Sequence, residues 1–367
     1  MKYSEKLESN ITTAEELKPI FGLTDEDIKK VQEILDVYPM SVGSYYLSLI
    51  DKEDINDPIK KMSIPSIDET NLEGSTDTSG EAKNTKIKGL QHKYTQTALI
   101  LSTSKCAMYC RHCFRKRMVG TTDEEIAAGF DAIVDYVREH EEISNILISG
   151  GDSFLNNNDM IEKYLDHFSK VDHLDFIRFG TRTPVVIPER IYDDYELLEI
   201  LEKYNKIKTI YIVTQFNHPN EITEEAKKAI EKLEKIGITV KNQTVLLKGI
   251  NDNPNTMAKL LRKLTSIGVD PYYVFQCRPV VGVKNQFQIP IIEGYKIVEE
   301  AKAMLNGFGK SFNYVMSHET GKIEFLGLLE ENKMLARYQE AKDTSYYGKT
   351  FVLELRDDQC WLEKNPF

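Results

Sequence analysis

The sequence predicts an α/β fold: a partial (β/α)6 TIM-like barrel with a helical N-terminal extension and a small C-terminal segment. Three observations carry this. Short apolar runs alternate with amphipathic stretches six times between residues 98 and 306. Each unit takes about 30 residues, the length of a strand–helix–strand step, and such alternation makes a parallel sheet. Polar and glycine-rich clusters follow the runs, at the strand ends where parallel α/β folds gather their chemistry. Six units, against eight in a closed barrel, leave one side open for a large substrate.

The elements follow in order. Residues 1–67 read as helical. Thr24 caps a helix whose apolar face is Ile28, Val31, Ile34, Leu35 and Tyr38, and Pro39 ends it. Residues 68–86, DETNLEGSTDTSGEAKNTK, hold almost nothing apolar and read as a solvated linker. ALILSTS (98–104) is the first strand, with a helix near 122–140. NILISGG (145–151) precedes a helix near 158–169, and FIRFGTR (176–182) one near 193–204. TIYIVTQF (209–216) leads to a helix capped by Thr223 and stopped by Gly237. ITVKNQTVLL (238–247) precedes a helix near 254–267, and PYYVFQC (271–277) one near 292–306. Shorter runs, FNYVM and IEFLGLL, follow from about residue 309. The expected division is 1–90 helical with the linker, 91–290 barrel, and 291–367 C-terminal region.

Composition narrows the function. The 367 residues carry 47 Lys+Arg against 58 Asp+Glu, a net charge of −11. That argues against nucleic-acid binding as the main activity. No run approaches the ~18 apolar residues of a membrane span, and MKYSEKLESN lacks the apolar core of a secretory signal. A cytoplasmic enzyme without membrane or nucleic-acid partners is the expectation. Five cysteines in a chain this long are no disulfide scaffold.

Their placement is more informative. Cys106, Cys110 and Cys113 form a Cys-x3-Cys-x2-Cys segment directly after the first strand. Zinc would want a fourth ligand; His112 is available, but it adjoins Cys113, so both could hold one ion only with strain. Inert thiols would be an odd core packing beside Arg111, Arg115, Lys116 and Arg117. Three thiolates can instead hold a [4Fe–4S] cluster and leave one iron open to a chelating cofactor. The cationic neighbours read as a site for anionic cofactors and a carboxylate, hidden under the global acidity. Ser149-Gly150-Gly151-Asp152 follows the second strand, where glycine lets backbone approach a ligand closely.

The thiol spacing after strand one resembles the radical SAM superfamily. The stretch from about 40 to 328 resembles the lysine 2,3-aminomutase family more closely. The matching segments include YYLSLID (45–51), GLQHKY (89–94), CAMYCRHCFRKR, LISGGD, TRTPVVIPERI, FNHPNEIT, KNQTVLLKGIND and PYYVFQC. The resemblance implies a [4Fe–4S] cluster on Cys106, Cys110 and Cys113. It implies S-adenosylmethionine near Ser149, Gly150, Gly151, Asp152 and Gln243, with Asp152 accepting from its ammonium. It also implies pyridoxal 5′-phosphate on Lys322 beside Tyr94, with Lys93 toward the phosphate, and Arg115 on the substrate carboxylate. Lys322 and Arg115 are then the catalytic pair. An amino acid substrate, an external reductant such as flavodoxin or ferredoxin, and a homo-oligomer complete the expectation.

Departures from the family pattern point away from lysine. The run before the expected cofactor lysine, Ser317-His318-Glu319-Thr320-Gly321, keeps one glycine, which weakens a backbone phosphate nest. Of two phosphate arginines, one position is Lys93 and the other Thr97. The two aspartates that hold a lysine ammonium become Arg278 and about Val315. A lysine ammonium against Arg278 would be repelled, whereas an acidic side chain such as glutamate's would suit it. Two alternatives remain at this stage: a radical SAM enzyme that does another hydrogen abstraction without pyridoxal phosphate, and a zinc-stabilised binding protein.

Overall fold

The computed structural model describes residues 3–363. Twelve strands form one sheet in chain order. They are β1 (Thr85–Ile87), β2 (Leu90–Tyr94), β3 (Thr97–Thr103), β4 (Asn145–Gly150), β5 (Phe176–Gly180), β6 (Thr209–Thr214), β7 (Thr239–Leu246), β8 (Val269–Gln276), β9 (Asn313–His318), β10 (Gly321–Glu330), β11 (Lys333–Ala341) and β12 (Thr350–Glu354). Pairing from β3 through β9 is parallel throughout. Pairing is antiparallel on both flanks. Each of the six crossovers of the parallel part holds one long helix: Phe130–Glu139, Asn158–Phe168, Tyr195–Asn205, Glu224–Lys235, Pro254–Ser266 and Ile291–Ala303. Parallel neighbours need such crossovers, because a tight hairpin reverses direction. Among the described residues, no helix is long and apolar enough to cross a membrane.

Alternation within each strand separates two faces. On β5, Ile177 and Phe179 are fully buried in the hydrophobic core, while Gly180 lines a cavity. The sheet curves around that cavity. Lys93 Nζ on β2 donates to the carbonyl of His318 on β9, at 2.6 Å, although six strands lie between them in the sheet order. One hydrophobic cluster runs from Ala14 to Leu362, through all three expected regions.

The caps at Thr24 and Thr223 stand where expected. Thr24 forms a reciprocal capping box with Asp27, and Thr223 accepts from Ala226 N. Other expectations change. The run FNYVM supplies a seventh parallel strand, β9, which pairs with β8 through Asn313, Tyr314 and Val315. The C-terminal segment is larger than expected, since β10 and β11 extend the sheet as a long hairpin. The helix near 122–140 begins only at Phe130. Before it, the chain lies along β3, with Ala127 N donating to Leu101 O at 2.9 Å. That approach needs Gly89, at φ +82°, whose missing Cβ would stand 2.2 Å from Ala127 Cα.

The largest correction concerns residues 68–86. Much of this segment is exposed, yet it is no solvated linker. Glu69 and Glu81 are buried, at 1% and 3% exposure. Its ends are a 3-10 turn at Ile67–Thr70 and a short helix at Glu81–Asn84. Apolar content could not reveal this, because the segment is anchored by charge.

Candidate active site

The cysteine loop, residues 105–117, leaves the end of β3 and is held from behind by the N-terminal region. Tyr109 N donates to Ser41 O, Arg111 N to Met62 O, and Asn10 Nδ2 to Ala107 O. Glu69 is the buried anchor. It pairs with Arg111 and, at 2.5 Å, with Lys116. Burial raises the Glu69 pKa, but the charges of Arg111 and Lys116 outweigh it and the net shift is downward. Arg117 pairs with Glu81 and Glu125 at 2.6 and 2.7 Å. Arg111, Lys116 and Arg117 are therefore neutralised from within, as is Arg115 by Glu81 at 2.8 Å, which corrects the reading of a free cationic site. Arg115 is the one of them that lines the cavity.

Cys106, Cys110 and Cys113 border one cavity of about 350 Å³. The same cavity is lined by Ser149, Gly150, Gly151 and Asp152 from the end of β4, and by Gln243, Arg115, Arg278 and Ser317. The structure thus gathers most of the sequence-predicted site on one face. Burial pushes the Cys113 thiol up to about 11 and Cys106 well above its ordinary value. A soft metal would take these sulfurs by displacing their protons. The two glycines are sterically required. A Cβ on Gly150, at φ +115°, would lie 2.3 Å from Thr103 O, and one on Gly151 2.3 Å from Lys105 O.

Asp152 lines the cavity and is also held by partners of this chain. Its Oδ1 accepts from Thr181 Oγ1 at 2.6 Å and Phe154 N at 3.0 Å, and its Oδ2 from Arg182 N at 2.7 Å. The carboxylate therefore staples the turn after β5 to the turn after β4. His112 lines the cavity too, with its Nδ1 buried and without a partner. Its Nε2 meets Asn217 Nδ2 at 3.2 Å. Burial, with Arg182 nearby, lowers its pKa to about 3. Among the described residues, no three His, Cys, Asp or Glu side chains converge so as to hold a single metal ion.

Sequence reasoning missed Arg182. Its NH1 lies 2.8 Å from Cys110 Sγ, and NH2 pairs with the buried Glu221. Its position after a glycine at a strand end was the available signal. Sequence alone could not show that the side chain reaches a thiol.

A second group adjoins the cavity beyond Ser317. Lys322 on β10 pairs with Glu340 on β11 at 2.9 Å, and its Nζ lies 4.4 Å over the Tyr273 ring and 5.9 Å over that of Tyr94. Lys93 lies nearby. Burial lowers its pKa to about 7, helped by Arg278, Lys342 and Lys322. Arg278 is half-buried; its NH2 donates to Ser317 Oγ at 2.9 Å while its NH1 is buried and has no partner. It makes no ion pair among the described residues, and its guanidinium lies 4.5 Å over Phe114. Burial lowers its pKa to about 10. Thr97 has a cation within reach after all. Arg178, two strands away, donates from NH2 to Asn145 Oδ1 at 2.5 Å, and Asn145 Nδ2 donates to Thr97 Oγ1 at 3.2 Å. The Arg178 Nε is buried without a partner. His318 is occupied on both ring nitrogens, by Thr320 Oγ1 and Leu362 O, so it holds the C-terminal tail and is no free proton carrier.

Three thiols and a glycine turn at the strand ends of a parallel α/β sheet define a radical SAM protein, and the Radical SAM superfamily model matches residues 100–261. L-lysine 2,3-aminomutase of Acetoanaerobium sticklandii is 39% identical, over 83% of this chain and 72% of that protein. L-lysine 2,3-aminomutase of Bacillus subtilis is 36% identical, over 94% and 77%. Glutamate 2,3-aminomutase of Clostridioides difficile is also 36% identical, over 94% and 79%. The chain belongs to the lysine 2,3-aminomutase family of radical SAM enzymes and is an aminomutase-type isomerase. The family's cofactors are a [4Fe–4S] cluster, S-adenosylmethionine and pyridoxal phosphate. The residues present fit them. Three thiols share one cavity wall with the glycine turn. Lys93, Arg278 and Lys322 form a half-buried cation group with unpartnered nitrogen at Arg278 NH1, which suits anionic ligands.

Proposed function

We propose that this protein is a pyridoxal-phosphate-dependent 2,3-aminomutase for an amino acid other than lysine, one with an acidic side chain. The observation that carries it is Arg278: half-buried, without an ion-pair partner among the described residues, and with its buried NH1 unsatisfied at the wall of the cavity that Arg115 also lines. An unpaired buried guanidinium is costly unless a ligand completes it. A substrate carboxylate would do so, and a lysine ammonium would be repelled.

The cluster with S-adenosylmethionine supplies a hydrogen-abstracting radical, and pyridoxal phosphate supplies the carrier for the migrating amine. This chain's residues do the rest. Cys106, Cys110 and Cys113 hold the cluster, and Arg182 places a donor on the Cys110 sulfur. Gly150, Gly151 and Gln243 border the adenosyl site. Lys322 holds the carrier beside Tyr94, and Lys93 with Arg178 faces its phosphate. Arg115 holds the substrate carboxylate. The curved sheet, read as a partial (β/α)6 barrel under residues 91–290, walls the radical from water. The regions 1–90 and 291–367 close it from two sides. A small external reductant, flavodoxin or ferredoxin, feeds the cluster, and the chain works as a homo-oligomer in the cytoplasm.

Anaerobic reconstitution with a reductant and S-adenosylmethionine tests this. With L-glutamate and L-lysine offered together, the β-amino product forms from glutamate. Turnover of lysine with glutamate inert would falsify the Arg278 argument.

A further inference from the structure

We propose that Glu81 is the positioning residue for Arg115, setting the plane of the guanidinium that receives the substrate's α-carboxylate. This rests on the function proposed above. Glu81 is buried at 3% exposure. Its Oε1 accepts from Arg115 Nε at 2.9 Å and lies 2.8 Å from NH2. Its Oε2 takes Arg117 NH2 at 2.6 Å. Arg115 NH1 is held from the other side by Gly150 O at 3.2 Å, in the glycine turn after β4. A guanidinium has five N–H groups in a fixed fork. Glu81 and Gly150 O occupy three of them. Apart from a long 3.5 Å contact to Ser149 Oγ, one N–H on each terminal nitrogen is left for a two-pronged carboxylate.

Glu81 is itself fixed. Its backbone N donates to Asp77 Oδ1 at 2.9 Å, and its carbonyl accepts from Thr85 Oγ1 at 2.9 Å. A flexible arginine would have to be ordered by the substrate, whereas a clamped one is already oriented. Glu81 therefore lowers the dissociation constant of any ligand bearing an α-carboxylate. Its effect on ligands without one is small.

The test titrates the loaded holoenzyme, without reductant, and follows the cofactor's absorbance. The ligands are L-glutamate and L-alanine, and their counterparts without the α-carboxylate, 4-aminobutyrate and ethylamine. In Glu81→Ala the dissociation constants of the amino acids rise roughly tenfold or more, while those of the two amines stay within about twofold. Glu81→Gln, which keeps volume and one acceptor oxygen, gives an intermediate rise and guards against loss of folding. Arg117→Ala, which removes only the other partner of Glu81, leaves both classes unchanged. Equal weakening of amino acids and amines, or no weakening of either, overturns the proposal. A wild-type holoenzyme that responds to no amine overturns the proposed function along with it.

Discussion

The two ends of the cavity handle charge in opposite ways. Around the cysteine loop, Arg111, Lys116 and Arg117 each meet a carboxylate of this chain. Around β2, β5 and β8–β10, Lys93, Arg178 and Arg278 have no ion-pair partner among the described residues, and burial lowers all three pKa values. Where a buried charge is matched internally, the group is scaffold. Where it is unmatched, the protein carries a desolvation cost that a bound anion relieves. Composition hides this contrast, since both sets are simply basic residues in an acidic chain.

The largest expected effect comes from breaking the scaffold end at its metal ligands. Cys110→Ala should abolish bound iron after anaerobic purification, where the intact protein carries about four iron and four sulfide per chain. Iron and sulfide assays decide it, and retained full loading would count against the cluster assignment. Glu69→Ala comes next. It strands Arg111 and Lys116 in the interior, and such loss costs about 3–5 kcal/mol. Denaturant unfolding of the apoprotein should show this. The exposed pair Lys83–Glu319, at 3.9 Å, serves as the control, and Lys83→Ala should cost well under about 1 kcal/mol.

At the unmatched end the sign reverses. Arg278→Gln should leave apoprotein stability nearly unchanged or improved, because an unsatisfied charge disappears. It should lower kcat/KM for an acidic substrate by roughly 10–100-fold, the range for a charge-assisted hydrogen bond of ~1.5–3 kcal/mol. A drop in stability like that of Glu69→Ala would erase the distinction between the two ends.

The smallest expected effect is a pH dependence. Lys93 is lowered to about 7, chiefly by burial and then by Arg278, Lys342 and Lys322, with Glu81 opposing. Between about 7 and its ordinary unfolded value the unfolded chain holds a proton that the folded chain does not. The Lys93 contribution to stability therefore rises with pH across that window and is least favourable below it. Inorganic phosphate should consequently raise the apoprotein's Tm more at about pH 6 than at about pH 9, and Lys93→Met should flatten that difference. Equal phosphate effects at both pH values, measured by thermal melts, would show that Lys93 faces no anion site.

Local patterns carried much of the fold. Strand alternation, the capping threonines and the six crossover helices are near-neighbour effects, so periodicity and propensity suffice to place them. The three thiols were equally legible, because their spacing sits on one loop. Legibility failed wherever a residue's partner is remote. Glu69 and Glu81 looked solvated because their binding partners lie 42 and 34 residues on. Spacing gave no sign that Thr181 and Arg182 bind the Asp152 carboxylate from the next strand end. Arg178 read as an ordinary strand residue and Arg182 as part of a polar strand-end cluster, with no sign of the amide or the sulfur that each one meets.

By itself, then, the sequence determined the alternating α/β order, the thiol loop and its family, because these rest on local periodicity and on residues close in the chain. Only the tertiary structure decided which charges are neutralised and which await a ligand. That distinction depends on burial and on contacts between distant strands, and long-range pairing alone sets the local dielectric and the count of free donors.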